Sequence, residues 1–287
     1  MTRDSQDTAP LSGPASGRMS FVPAPPPDTV TAQTARVLGF LDHLGVMTVM
    51  LVKTTRALFR RPFEGRAIVT QVESLGVRSL GIVVVTSVFI GMVMAVQFAF
   101  GLRKFGGMEY TGRVVGLSFA RELAPTLTAV IVGGRIGAGM AAEVGSMAVT
   151  EQIDALRALG ADPYKKLVLP RLVASTLVMP VLAAIALVLG FGGAMFITDF
   201  QFNIPSEFFL RSALGTVTMR DLLSGMLKTP VFGSIIAIVG CHFGMRTRGG
   251  TAGVGNSTTR TVVVVSISIL IADFFLTKVF LSVLPII

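Results

Sequence analysis

The chain has 287 residues, of which 52% are hydrophobic and only 14% charged, with a mean hydropathy of +0.73 and a net charge of +9. Soluble domains carry about 25% charged residues, so this composition excludes a single water-facing core and makes the lipid bilayer the natural solvent. The basic residues lie between apolar runs without aromatic interleaving, which excludes a nucleic-acid surface and leaves membrane topology and anionic headgroups as their role.

Residues 1–30 are rich in Pro, Ser, Thr, Gly and Asp and end in Pro25-Pro26-Pro27. That composition predicts a disordered tail. It holds no apolar signal core, so membrane insertion is expected to rest on internal segments. From Thr34 to Arg61 the pattern turns helical: Val37, Phe40, Leu41, Leu44, Met47 and Leu51 recur at three- and four-residue steps, with Arg36, Asp42, His43, Lys53 and Arg56 elsewhere. A basic amphipathic helix of this kind lies in the membrane interface. Pro62 is expected to end it, and a second amphipathic stretch over Gly65–Gly76 leads into the membrane. Residues 31–76 are therefore read as interfacial and 77–287 as the transmembrane part.

Five spanning helices are predicted: Ser79–Leu102, Val114–Gly134, Leu172–Thr198, Leu222–Met245 and Thr261–Leu284. The first is free of charge and long enough for about 30 Å of hydrocarbon. Arg121 and Glu122 interrupt the second. Pro180, Gly190, Gly192 and Gly193 mark expected kinks in the third, Lys228 and Pro230 lie near the start of the fourth, and Asp273 falls inside the fifth. Fifteen Lys and Arg residues flank one side of this arrangement and six, Lys228 among them, the other. The positive-inside rule then puts the N-terminus in the cytoplasm, and with five spans the C-terminus outside. The fold class is all-α integral membrane, with an N-terminal interfacial helix, five transmembrane helices and a cytoplasmic helix between the second and third.

Arg121 is about 12 Å from the outer end of the second span, where charge needs a cavity or a partner. It either lines an outward-opening cavity and meets an anionic headgroup, or belongs to a structural ion pair. Adjacent helical residues point about 100° apart, so Arg121 and Glu122 are not expected to pair with each other. Gly133, Gly137, Ala141 and Gly145 form a ladder of small residues, and Gly134, Ala138 and Ala142 a second one. Both suit close helix packing, within the chain or across a dimer. Glu151–Gly160 reads as a short helix with Ile153, Leu156 and Leu159 on an apolar face and Glu151, Asp154 and Arg157 on a charged one; it is either a docking element or a solvated connector. Asp273 lies roughly 20 Å into the fifth span without an obvious partner, which favours a structural hydrogen-bond network over a proton path. Lys278 lies near the outer end of that span, where it can snorkel.

No G-x-x-x-x-G-K-[ST] motif for ATP occurs, nor H-E-x-x-H, nor a G-x-S-x-G elbow. The single cysteine, Cys241, and the two histidines, His43 and His242, provide no metal cluster. No catalytic residue, metal or cofactor is expected.

Several segments resemble the MlaE (YrbE) permease family. Phe89-Ile90-Gly91-Met92-Val93 is similar to its first-span signature. Ala120-Arg121-Glu122-Leu123-Ala124-Pro125 resembles its L-R-E-L-G-P segment. Gly134-Arg135-Ile136-Gly137-Ala138, Ala142-Glu143-Val144-Gly145 and Thr150-Glu151-Gln152 resemble its most recognisable stretch. Asp162-Pro163, Pro170-Arg171, Thr258-Thr259-Arg260-Thr261-Val262-Val263 and Asp273-Phe274 follow in order, so that the likeness covers residues 35–285. The resemblance implies a homodimeric ABC transporter permease in the bacterial inner membrane. Two cytoplasmic ATPase subunits and a periplasmic ring of MCE-domain proteins would complete an assembly that moves phospholipids between inner membrane and periplasm or outer membrane. It also implies a lipid pocket at Met94, Gly101, Leu102, Phe105, Arg121, Glu122 and Leu123, and ATPase coupling through Glu143, Glu151, Asp154 and Arg157. A proton-coupled secondary transporter, with Glu122 and Asp273 as relay, is the rival; such proteins commonly show internal repeats, and none is visible here.

Overall fold

A computed structural model describes residues 29–58 and 65–283. All their regular structure is helical: α1 (Thr29–Leu58), α2 (Gly65–Arg103), α3 (Thr111–Ser118), α4 (Thr128–Val149), α5 (Gln152–Ala158), α6 (Leu169–Phe202), α7 (Ser206–Leu214), α8 (Met219–Met245) and α9 (Gly250–Val283). The predicted tail over 1–28, Pro62 with its neighbours, and Leu284 lie outside the described residues. Of the described residues, Thr29–His43 belong to one unit and those from Leu44 onward to a second, which carries the features discussed below.

Five helical stretches are long and apolar enough to cross a membrane: Gly65–Arg103, Met108–Val149, Tyr164–Phe202, Met219–Met245 and Gly250–Ser282. Each contains one predicted span, apart from the unassigned end of the fifth, and most are longer, because the helices continue through the charged residues that end an apolar run. The predicted second amphipathic stretch, Gly65–Gly76, is the first part of α2 and not a separate helix. α9 starts at Gly250, eleven residues before the predicted Thr261, after a turn at Gly249 and Gly250 with φ of 88° and 66°.

The described side chains of α1 bury Met50, Thr54 and Ala57, a spacing that keeps one face on the core, while Val49, Val52 and Leu58 are exposed. The ammonium of Lys53 sits 5.3 Å from the ring centroid of Tyr164, which ties α1 to the segment preceding α6. Side-chain surroundings at Val37, Phe40, Leu41 and Leu44 lie outside the described set.

α2 and α6 make the most extensive contact in the chain. Gly91 lies on the backbone of Gly190, and Gly193 on that of Val88, so closely that a Cβ at any of these glycines would overlap a backbone or side-chain atom. Two of the expected kink residues, Gly190 and Gly193, thus serve close approach, and α6 continues through both and through Pro180. The ladder on α4 resolves in the same way. Gly133 faces Ile236 and Ile269, Gly137 faces Thr261 and Val265, and Gly145 faces Thr247. These contacts are within the chain, against α8, α9 and the turn between them, beside the main core around Ile136, Met140, Phe232 and Ile236. A second apolar cluster around Phe119, Ala124, Phe202 and Phe209 fills the other end. α9 contributes little to burial, with only about a tenth of its apolar window covered by the rest of the chain.

Candidate functional site

Between α3 and α4 the helix widens. Phe119–Leu127 forms π-type turns around Pro125, whose ring lacks an N–H to donate. Such widened turns are a recurrent feature of functional sites. This one carries Arg121 and Glu122, and the two side chains go to different partners.

Arg121 reaches α8. Its Nε donates to Asp221 Oδ1 at 2.7 Å, and one Nη lies 2.6 Å from the same oxygen as an ion-pair contact. Asp221 is itself held: its Oδ2 accepts from the backbone N–H and the hydroxyl of Thr218, both at 2.8 Å. Thr218 and Asp221 form the capping box that starts α8. The carboxylate therefore serves as helix cap and as counter-ion, and its position is set by α8 rather than by the arginine.

Glu122 reaches Lys228, the one lysine of α8. The Lys228 side chain is only 2% exposed. Its Nζ donates to Glu122 Oε2 at 2.7 Å, Asp273 Oδ1 at 3.1 Å and Thr277 Oγ1 at 2.7 Å, with the Arg121 carbonyl at 3.3 Å. Thr277 in turn donates to Glu122 Oε1 at 3.2 Å. Lys228 was grouped on sequence with the charges outside the membrane; it is instead buried between three helices. Asp273, without a partner on sequence, finds one in Lys228, as a structural network requires. Arg121 and Glu122 do not pair with each other, as their angular separation predicts.

Arg121, Glu122, Asp221 and Lys228 line a cleft of about 40 Å³, together with Arg220 and Thr277. That volume admits a few waters, far less than a drug-sized ligand fills in an ordinary binding cavity of roughly 300–1,000 Å³. Among the other predicted pocket residues, Met94 and Leu123 are half-buried in the second apolar cluster. Gly101 and Phe105 are exposed and Leu102 half-buried at the end of α2, with Phe105 87% exposed. They do not line the charged cleft, so within one chain the predicted pocket is divided between an apolar edge and a charged node.

The predicted coupling residues also separate. Glu143 belongs to α4, where its Oε2 accepts from Arg171 at 2.9 Å. Arg171 is buried, donates also to the Leu167 carbonyl, and leaves its Nε without a partner. Glu151 begins α5 at a left-handed φ of 59°, and Asp154 and Arg157 pair on its surface at 2.7 Å. Ile153 is buried and Leu156 partly so, whereas Leu159 is 83% exposed past the end of the helix. Gly160, at φ 74°, stops α5 as expected.

Sequence reasoning missed Asp221 and Thr277. For Asp221 a signal existed: Thr218-Met219-Arg220-Asp221 has capping-box spacing before an apolar run. Thr277 carries no local signal, since its role arises from the packing of α9 against α8 and the widened turns at Phe119–Leu127.

The family described as Permease MlaE matches residues 68–279. The chain is 40% identical over 210 residues to Protein TRIGALACTOSYLDIACYLGLYCEROL 1, chloroplastic, of Arabidopsis thaliana, a match covering 73% of this chain and 60% of that protein. It is 42% identical over 206 residues to a probable ABC transporter permease protein of Synechocystis, covering 72% of this chain and 78% of the relative. A probable ABC transporter permease protein of Rickettsia felis is 36% identical over 248 residues, covering 86% of this chain and 96% of the relative.

Proposed function

We propose that this chain, which belongs to the MlaE permease family, is the lipid-handling permease subunit of an ABC transporter that moves phospholipids between the inner membrane and the periplasm or outer membrane. The observation that carries this reading is an arginine, Arg121, held by Asp221 at the edge of a cleft among membrane-spanning helices. Its side chain is 27% exposed. A guanidinium has five N–H donors, of which the Nε–H is donated to Asp221 while one Nη lies against the same oxygen. The others remain for a phosphate, which guanidinium planes bind by paired charge-assisted hydrogen bonds. The name of the chloroplast relative, which contains a diacylglycerol lipid, agrees with a lipid cargo.

The division of the predicted pocket supports a dimer. One chain offers a charged node of about 40 Å³ and an apolar edge at Met94 and Leu123, too little to enclose a phospholipid. A second copy facing the first would close the apolar walls around acyl chains, and the poorly covered α9 is available for that contact. The two cytoplasmic ATPase subunits would dock at Glu151, Asp154 and Arg157 on α5, with Glu143 bracing α4 from behind through Arg171, and a periplasmic MCE ring would receive the lipid. The N-terminus is cytoplasmic on this reading. ATP binding on the partner chains closes them, moves α5 and squeezes the lipid site.

The test is lipid transfer by the reconstituted complex carrying Arg121→Gln, with Asp221→Asn introduced alongside to relieve the unpaired acid. Loss of charge-assisted contacts worth about 1.5–3 kcal/mol lowers transport roughly ten- to a hundredfold. Unchanged transport overturns the headgroup role. A complex that transports lipid down a proton gradient with no ATPase attached overturns the ABC reading in favour of proton coupling.

A further inference from the structure

A second basic site lies on the other end of the spans. Arg135 is fourteen residues beyond Arg121, about 21 Å along the helix axis. Its Nη1 donates to Ser79 Oγ at 2.8 Å, and Ser79 is fully buried on α2, where it donates to the Leu75 carbonyl. Arg135 is thereby held in one place. Arg78, adjacent to Ser79, makes no hydrogen bond or ion pair among the described residues. Both arginines line a crevice of about 210 Å³ between α2 and α4, with Ser74, Leu75, Gly139 and Glu143.

Three features distinguish this crevice from ordinary snorkelling of single arginines to the membrane surface. The two guanidinium groups line one hollow, and the only carboxylate on its wall, Glu143, is engaged by Arg171. The local charge is therefore an unneutralised pair of cations, which favours an anion between them. Gly139 leaves the α4 wall open, since a Cβ there would meet nothing within 4 Å. The depth also fits a lipid headgroup. Ser79 is twenty-four residues from Arg103, about 36 Å along α2, against a hydrocarbon thickness of about 30 Å. If Arg103 lies at one headgroup layer, Arg78 and Arg135 lie at the opposite one, on the side of α5.

We propose that this crevice binds the phosphate of an anionic lipid from the leaflet on the α5 side, with Arg78 and Arg135 as its ligands. The inference deepens the permease reading and rests on it: Arg121 would meet phosphate in one leaflet and Arg78 with Arg135 in the other. The chain then holds a phosphate station at each end of the path, and the inner one is occupied without turnover.

The experiment uses the complex in nanodiscs of phosphatidylcholine containing spin-labelled phosphatidylglycerol or spin-labelled phosphatidylcholine, and reads the motionally restricted fraction of each. The parent complex should immobilise phosphatidylglycerol in preference to phosphatidylcholine by about tenfold, the effect of one charge-assisted contact. Arg78→Gln with Arg135→Gln should abolish the preference, and Gly139→Leu, which fills the hollow and keeps both charges, should reduce it several-fold. If neither variant changes the preference, the site does not exist. If only the arginine variant does, general attraction of exposed cations is the cause and the crevice is not a site. Displacement of the labelled lipid by inorganic phosphate overturns the lipid assignment in favour of a soluble anion. Because retention is read without ATP, its failure is separable from a failure of transport at Arg121.

Discussion

Replacing Lys228 by Met removes the cation that joins α8 to α9 and to the widened turns at Phe119–Leu127. The ammonium is 2% exposed and bonded to two carboxylates and a hydroxyl. Removing one partner of a buried ion pair costs about 3–5 kcal/mol, because the remaining charge stays buried without compensation. Glu122, at 39% exposure, keeps access to the cleft, whereas Asp273 at 17% has less, so the lower end, about 3 kcal/mol, is expected. Met matches the length of the lysine stem and adapts to irregular space, so a cavity contributes little. Reversible unfolding in bicelles measures the change. The same measurement on Lys228→Met combined with Glu122→Gln and Asp273→Asn should recover more than half of it, since no uncompensated charge is then left. A single variant within about 0.5 kcal/mol of the parent, the range of an ordinary surface change, refutes the picture of a buried node, and so does a triple variant no more stable than the single one.

Gly190→Leu drives a side chain into Phe119 and the Ser87 carbonyl. Overpacking costs about 1–3 kcal/mol where the core can shift; here the obstacle includes backbone, so the variant should be destabilised by at least that, seen as loss of folded protein in detergent chromatography, whereas Gly192→Leu, with nothing within 4 Å, should behave as the parent. On α5, Glu151→Lys with Asp154→Lys reverses the exposed acidic charge and breaks the pair with Arg157. It should weaken co-purification of the ATPase with little effect on the folded permease, because an exposed pair contributes only about 0–1 kcal/mol. Full recovery of the ATPase would remove α5 from the docking surface.

The five spans were legible because twenty apolar residues in succession have few alternatives to a membrane helix. Their ends were less so: Gly65–Gly76 reads as a separate stretch and the fifth span as starting only at Thr261, because helices that emerge from the bilayer take on polar residues without stopping. The ladder Gly133, Gly137, Ala141 and Gly145 announced close packing, but its target, Ile236, Thr261 and Ile269, depends on which helices the topology brings beside α4. The charged node was legible only in its halves. Arg121 and Glu122 stood out as costly, and their divergence followed from helix geometry. That Lys228 lies 45 residues from Asp273 and 106 from Glu122 leaves no local trace of the pairing, and a lysine near a helix end reads as a loop charge until the third dimension is known.

Two kinds of contact join α4, and the widened turns that lead into it, to α8 and α9. Along most of their length they meet through glycine, alanine and aliphatic side chains, a close packing without directional bonds. At Glu122, Lys228, Asp273 and Thr277 they meet through directed hydrogen bonds of 2.7–3.2 Å. A buried ion pair adds little net stability over well-packed apolar residues, so what the node contributes beyond the apolar packing is a set of directed contacts. Arg121 and Asp221 extend the same constraint to the start of α8, where the capping box makes the carboxylate part of the helix itself. On the proposed reading, a phosphate that takes up the remaining donors of Arg121 bears on the contact between the start of α8 and the widened turns of Phe119–Leu127. A headgroup and the placement of α8 would then be linked through one guanidinium.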